Sequence, residues 1–268
     1  MINEAVFPHG TGGIAGTVCA EYCFSEAPPV IKPWLRFFRV VNLPTVPGDV
    51  LVGAAALLSN GLQNPAGLVA IVAACVASVF LYLFGLADND IVGAKTDKGR
   101  PIPDGQISTR AARIARGFCL FGALIVGALA NLPPAWWIAA FALVLAIVVY
   151  NRTKWCLLMG LCRGLNVWCG GVAMTLCNFR GIPGEGRFAL FCAAVIWALY
   201  IAVVTKYSAG EETDPVKKRR VGFLIGAIVY LQLIALLIFR VDPLLLTGAA
   251  LLIVLRLMKR FLPEVSAS

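Results

Sequence analysis

Apolar residues in this chain gather in long, predominantly apolar runs, neither alternating as in a half-buried strand nor confined to one stripe as in a soluble helix. The runs lie at 37–59, 65–87, 111–130, 134–150, 156–177, 187–205, 220–239 and 243–261. Each spans about 17 to 25 residues, enough at about 1.5 Å per residue to cross a hydrocarbon core roughly 30 Å thick. The pattern predicts an all-α membrane protein with about eight transmembrane helices. Residues 1–32, rich in Gly and Pro and without helical period, read as a flexible N-terminal segment. Residues 33–268 read as a single transmembrane helical domain.

The breaks are of two kinds. Asn60–Asn64, Asn131–Pro134 and Arg240–Pro243 are short turns of Asn, Pro and Asp that join antiparallel helices. Residues 88–110, 151–155 and 206–219 are dense in charge and alternate with the short turns, which puts them on one membrane face. With the N-terminus on that face too, it carries all but four of the 23 Lys and Arg residues. By the positive-inside rule the charged loops and both termini face the cytoplasm.

Composition agrees, with 60% hydrophobic and only 14% charged residues. The net charge of +9 would suggest nucleic acid if the cations formed one stripe. Here they punctuate the spans, so topology accounts for them and no nucleic-acid partner is expected. The nine cysteines contain no CxxC pair and read as small buried hydrophobes. His9, the one histidine, stands in the Gly-rich lead-in, which removes a Ser-His-Asp triad and a His-based metal site. No basic start, short apolar stretch and small-residue cleavage site opens the chain, so no cleavable signal peptide is expected.

Half of the 14 acidic residues fall in two clusters that share the charged face. Asp88, Asp90, Asp97 and Asp104 follow the second span, and Glu211, Glu212 and Asp214 follow the sixth. If the second helix continues past Asn89, then Asn89, Gly93 and Asp97 stack at i, i+4 and i+8, with Asp90 on nearly the same face as Asp97. Glu211 and Asp214 share a face at i, i+3. Carboxylates at a membrane helix end are costly unless paired or bound to cations. Oxygen ligands without His or Cys favour Mg²⁺, which completes its shell with water and substrate phosphate. Asn89, Asp90, Asp97, Glu211 and Asp214 are therefore the candidate catalytic and metal-binding residues. Lys98, Arg100, Lys154, Lys206 and Lys218 are the nearby candidates for diphosphate oxygens. A solvated loop surface of paired charges is the competing account. Arg163 and Asn166 sit one turn apart inside the fifth run and join the diphosphate candidates. Snorkelling, or a hydrogen bond between helices, is their alternative role.

These residues resemble the UbiA superfamily of intramembrane prenyltransferases, whose first Asp-rich motif reads NDxxDxxxD and is followed by RPIP-SG. The chain has Asn89-Asp90-Ile91-Val92-Gly93-Ala94-Lys95-Thr96-Asp97, then Arg100-Pro101-Ile102-Pro103-Asp104-Gly105-Gln106-Ile107-Ser108. Asn42-Leu43-Pro44-Thr45 resembles the opening of that family, the Arg163 and Asn166 segment its fifth-span pattern, and Tyr207–Asp214 its second Asp-rich motif. The resemblance implies a UbiA-like bundle around a central cavity, Mg²⁺ on a polyprenyl diphosphate, and prenyl transfer to a small hydrophobic acceptor, aromatic or lipid precursor, in contact with membrane lipid. It also implies a prenyl tail along walls such as those bearing Phe80, Tyr82 and Phe84.

Two departures stand out: Gly93 replaces the middle Asp of the first motif, and Glu211-Glu212-Thr213-Asp214-Pro215 replaces the DxxxD of the second. A catalytically degenerate membrane scaffold or transporter with the same fold is the alternative that these departures permit. A transporter would be expected to repeat its halves, and no internal repeat is evident. A CDP-alcohol phosphotransferase is excluded because Asp104-Gly105 is not followed two residues later by Ala-Arg.

Overall fold

Proline and short polar residues mark where the helices start. In the computed structural model Ser108 caps one helix by accepting from the Ala111 N–H, Asp214 caps another, and Pro134 and Pro215 occupy first-turn positions whose missing N–H needs no partner. The structure describes residues 31–57, 65–97, 99–176, 184–210 and 214–239, with 248, 250, 252 and 253. Among these are α1 (Ile31–Phe37), α2 (Thr45–Leu57), α3 (Pro65–Val92), α4 (Thr109–Leu129), α5 (Pro134–Thr153), α6 (Cys156–Ala173), α7 (Gly184–Ser208) and α8 (Pro215–Ile238), with three short 3-10 turns and no strand.

Six of the eight apolar runs are helices long and apolar enough to cross a membrane. The run at 37–59 differs. It starts at Phe37, the last residue of α1, passes through a 3-10 turn at Val40–Asn42 and forms only the 13-residue α2. Arg39 adopts left-handed backbone (φ 41°) before that turn, so a continuous helix is broken there. The run at 243–261 lies almost wholly outside the described residues.

Helix α6 is the centre of the bundle, the most buried of the six long helices, packed against α2, α5 and α7. Small residues make this possible. A β-carbon on Gly53 would stand 1.8 Å from the Val167 carbonyl oxygen, and one on Gly170 would stand 2.1 Å from that of Val50. The α2 and α6 backbones therefore touch without side chains between them. On the opposite side Gly160 lies against the Ala198 carbonyl of α7, where a β-carbon would approach to 2.2 Å. Lipid gives helices no hydrophobic reason to associate, so such close contact is the main source of attraction.

Helix α4 is at the other extreme, packing mainly on α3 and turning Ile114, Phe118, Phe121 and Leu129 outward. In water such a face would be a liability, whereas toward acyl chains it is the expected surface. Cys119, Cys162 and Cys169 are buried as free thiols, in keeping with packing roles.

Candidate functional site

Helices α2, α3, α5 and α6 enclose a cavity of about 330 Å³. Its mouth is where α3 and α5 end and α6 begins. Here α3 stays α-helical only to Val92 and then tightens into a 3-10 turn over Gly93–Lys95, so the expected stacking of Asn89, Gly93 and Asp97 on one α-helical face does not occur. Instead the Asp97 N–H donates to the Gly93 carbonyl (2.9 Å), and the Asp97 carboxylate folds back over residue 93. A β-carbon on Gly93 would lie 2.4 Å from Asp97 Oδ2. The glycine that removes a carboxylate from the motif thus makes room for the next one.

Asp90 is buried beside it, with Arg39 Nη2 at 3.5 Å and Arg100 Nη1 at 3.3 Å on its Oδ1, and it also accepts from Asn89 Nδ2. Lys154 Nζ donates to Asn89 Oδ1. Arg39 and Lys154 both have left-handed backbone (φ 41° and 55°) and both line the mouth. For residues other than Gly this conformation is uncommon; at Lys154 it is the C-cap that ends α5, its N–H donating to the Tyr150 carbonyl, and at Arg39 it precedes the 3-10 turn. Burial pushes the Lys154 amine below its ordinary value, while Asp97 partly offsets the shift. Ile102 and Ile107 insert into a small core with Phe37, Ala87 and Ala112, which anchors the Pro101–Ser108 loop and with it Arg100.

Asp88 faces away from this group. Its carboxylate accepts from Arg116 Nη1 (2.8 Å) and Asn151 Nδ2 (2.9 Å), with Arg152 at 3.7 Å, and so joins α3, α4 and α5.

Deeper in, Arg163, Asn166 and Ser78 line the opposite end of the cavity, with Val46 and Cys162 beside them. Behind this floor stands Asp49, fully buried on α2. Arg163 Nε lies 2.9 Å from Asp49 Oδ2 and its Nη2 donates to Oδ1 (3.2 Å) and to the Thr45 carbonyl (2.9 Å). Asp49 further accepts from Asn166 Nδ2 (3.1 Å), Trp197 Nε1 (3.0 Å) and Gln232 Nε2 (2.7 Å). Ser78 donates to Asn166 Oδ1. One carboxylate thereby ties α2 to α6, α7 and α8. A charge so deep in a bundle is tolerable only when paired and hydrogen-bonded in this way.

The sequence candidates separate accordingly. Asn89, Asp90, Asp97, Arg100 and Lys154 meet at the mouth, whereas Arg163 and Asn166 stand at the floor and engage Asp49. Asp214 serves the helix instead, its Oδ1 accepting the Val216 and Lys217 amide protons as the cap of α8. Lys206, Asp214 and Lys218 do not line the cavity. Lys98 and Glu211 lie outside the described residues. Of the three aromatics expected along the prenyl chain only Tyr82 lines the cavity. Phe80 turns to Phe118 and Gly122 of α4, and Phe84 is buried in the core. Arg39, Tyr150, Asn151, Asp49, Ser78 and Gln232 complete the two ends and have no motif of their own.

Among the described residues no three His, Cys, Asp or Glu side chains come close enough to form a metal cluster. The hard oxygen donors that line the mouth are Asp97 and the Asn89 amide, with the Asp90 carboxylate buried behind them, a donor type that suits Mg²⁺, which habitually takes the rest of its shell from phosphate and water.

Helices long and apolar enough to span a membrane thus surround a cavity that is charged at one end and apolar along its sides. The UbiA prenyltransferase family model matches residues 49–262, and the chain belongs to that family. It is therefore a prenyltransferase. Solved structures agree on the fold. A digeranylgeranylglyceryl phosphate synthase superposes with a TM-score of 0.54 at 17% identity, over 88% of this chain and 95% of that one. A UbiA homologue from Archaeoglobus fulgidus gives 0.50 at 17% identity over 88% and 90% of the two chains. The same homologue bound to GPP and Mg²⁺ gives 0.51 at 17% identity, covering 86% of each. No curated protein sequence matches the chain.

Proposed function

We propose that the chain transfers the prenyl group of a polyprenyl diphosphate to a small acceptor in a Mg²⁺-dependent reaction, with its charged mouth and both termini at the cytoplasmic face. The observation that carries the reading is the mouth itself, where Asn89 and Asp97 line the top of the cavity with Arg39, Arg100 and Lys154, and Asp90 lies buried against the two arginines. Three cations against two carboxylates leave a small positive excess, less than a diphosphate carries. A Mg²⁺ ion held by Asp90, Asp97 and the Asn89 amide oxygen would supply the missing charge and act as a Lewis acid on the diphosphate.

In the reaction the allylic C1–O bond breaks and diphosphate departs with the electron pair. The acceptor then bonds to C1 and gives up a proton. Arg39, Arg100 and Lys154 receive the negative charge that grows on the bridging oxygen, from positions fixed before the reaction begins. Tyr82 and Tyr150 line the space where an allylic cation would form, and Leu86, Leu143 and Ile147 exclude the water that would quench it.

The test is Mg²⁺-dependent binding of geranylgeranyl and farnesyl diphosphate to the purified protein, with Asp90→Ala and Asp97→Ala as controls. Binding that disappears on metal removal and in both variants is the expected result. Metal-independent binding, or none in the parent protein, would favour a catalytically degenerate scaffold or transporter.

A further inference from the structure

The prenyl-transfer reading leaves the floor of the cavity without a role, and its chemistry differs from that of the mouth. Arg163 is the single cation there, and Asp49 neutralises it at 2.9 Å. The remaining cavity-lining charges, Arg39, Asp97, Arg100 and Lys154, belong to the mouth. An anion at the floor would lose its water and gain no net charge in return.

What the floor does offer is one donor and one acceptor. Arg163 donates through Nη2 to Asp49 and Thr45 and sets its buried Nε against Asp49, so Nη1 is the nitrogen left for a ligand in the cavity that Arg163 lines. Asn166 is oriented by its own donations to the Val46 carbonyl and Asp49, which fixes its oxygen as the acceptor for Ser78. Ser78 consequently gives its proton to Asn166 and keeps its oxygen lone pairs for a ligand. A hydroxyl group, which accepts one hydrogen bond and donates another, matches this pair. A hydrocarbon tail would leave both unmade, at a cost of about 1–3 kcal/mol per desolvated group.

Depth sets the size. From Ser78 to Asn89 on α3 is eleven residues, or about 16 Å at the helical rise. A diphosphate at the mouth fills the upper part, and the space below it is bounded by Tyr82, Leu143 and Ile147. We infer that the floor formed by Ser78, Asn166 and Arg163 binds the acceptor, and that it selects a compact, neutral, flat or apolar molecule with a hydroxyl at the end remote from the atom that takes the prenyl group. That the bound molecule is the acceptor rests on the prenyl-transfer reading. The hydroxyl site itself rests on the geometry alone.

The experiment measures equilibrium binding of 4-methylphenol, p-xylene and 4-methylbenzoate to the full chain in nanodiscs, corrected for empty nanodiscs and without any diphosphate. The phenol is expected to bind at least about tenfold more tightly than p-xylene, the factor one satisfied buried hydrogen bond supplies. Ser78→Ala should abolish that preference. Asp49→Asn, which leaves Arg163 uncompensated, should raise the affinity for 4-methylbenzoate by a comparable factor. Equal binding of phenol and p-xylene to the parent protein would overturn the proposal, as would a preference that survives Ser78→Ala. The serine variant decides the matter even where Asp49→Asn fails to fold. A phenol preference that stands while geranylgeranyl diphosphate binding is absent would count against prenyl transfer and for the floor site.

Discussion

The two ends of the cavity hold ionic side chains in opposite ways. At the mouth, Asp90 and Asp97 face Arg39, Arg100 and Lys154 with contacts of 3.3 to 4.0 Å between the carboxylates and the arginines. Two of the cations stand on left-handed backbone. At the floor, Asp49 is saturated by four donor side chains. Charge held by longer contacts is suited to a partner that arrives and leaves with charge of its own. Saturated charge holds helices together and presents a neutral polar surface. The same residue types therefore do different work according to how far their bonding is complete.

The contrast is tested most severely at Asp90. Asp90→Ala should lower turnover by about 10²- to 10³-fold, the range seen when one preorganised electrostatic group is lost, while membrane insertion is unchanged. Near-normal product formation in that variant would end the claim that the mouth is the reacting end. Next in size is Asp49→Ala, which leaves Arg163 buried without its partner and should destabilise the bundle by about 3–5 kcal/mol. Thermal unfolding in detergent reads this directly, and a melting temperature equal to the parent's would show that the floor is not a structural hub.

Gly93→Ala tests the space occupied by Asp97. The added methyl displaces that carboxylate, so Mg²⁺-dependent pyrophosphate binding, followed by calorimetry, should weaken by about tenfold, or 1.4 kcal/mol. Unaltered affinity would mean that the position of Asp97 over residue 93 is immaterial. The smallest effect concerns pH. Because burial lowers the Lys154 pKa, its charge is lost at a lower pH than that of an exposed lysine. Pyrophosphate affinity should accordingly decline on the alkaline side before the ordinary lysine range near 10.5, and Lys154→Arg should flatten the decline. Identical pH profiles for the two proteins would remove Lys154 from the diphosphate site.

Much of the fold is legible in the chain because lipid solvent demands long apolar runs and polar turns, and both leave a local trace. The first span is the exception. Its break depends on the left-handed backbone of Arg39, a residue whose side chain is needed at Asp90, and no hydropathy pattern records that requirement. The mouth is likewise half legible. Asn89, Asp90 and Asp97 lie within one motif and Arg100 opens the stretch that follows it, whereas Arg39 comes from 51 positions before Asp90. Asp49 is the instructive omission. It appears as one acid in an apolar helix, and its partners Arg163, Trp197 and Gln232 lie 114, 148 and 183 residues further on. Only folding brings them together. Gly93 reads in sequence as a missing ligand, and in the structure as the space into which Asp97 bends.

The seam between Gly53 and Gly170 bears on how far the two sides of the bundle can move against each other. Where backbone meets backbone there is no layer of side chains to slide or re-pack, so α2 and α6 form one stiff keel. A carrier that alternates between two faces must rock its halves against each other, and a keel through the middle resists that motion. The protein is thereby built less like a revolving door than like a moored hull.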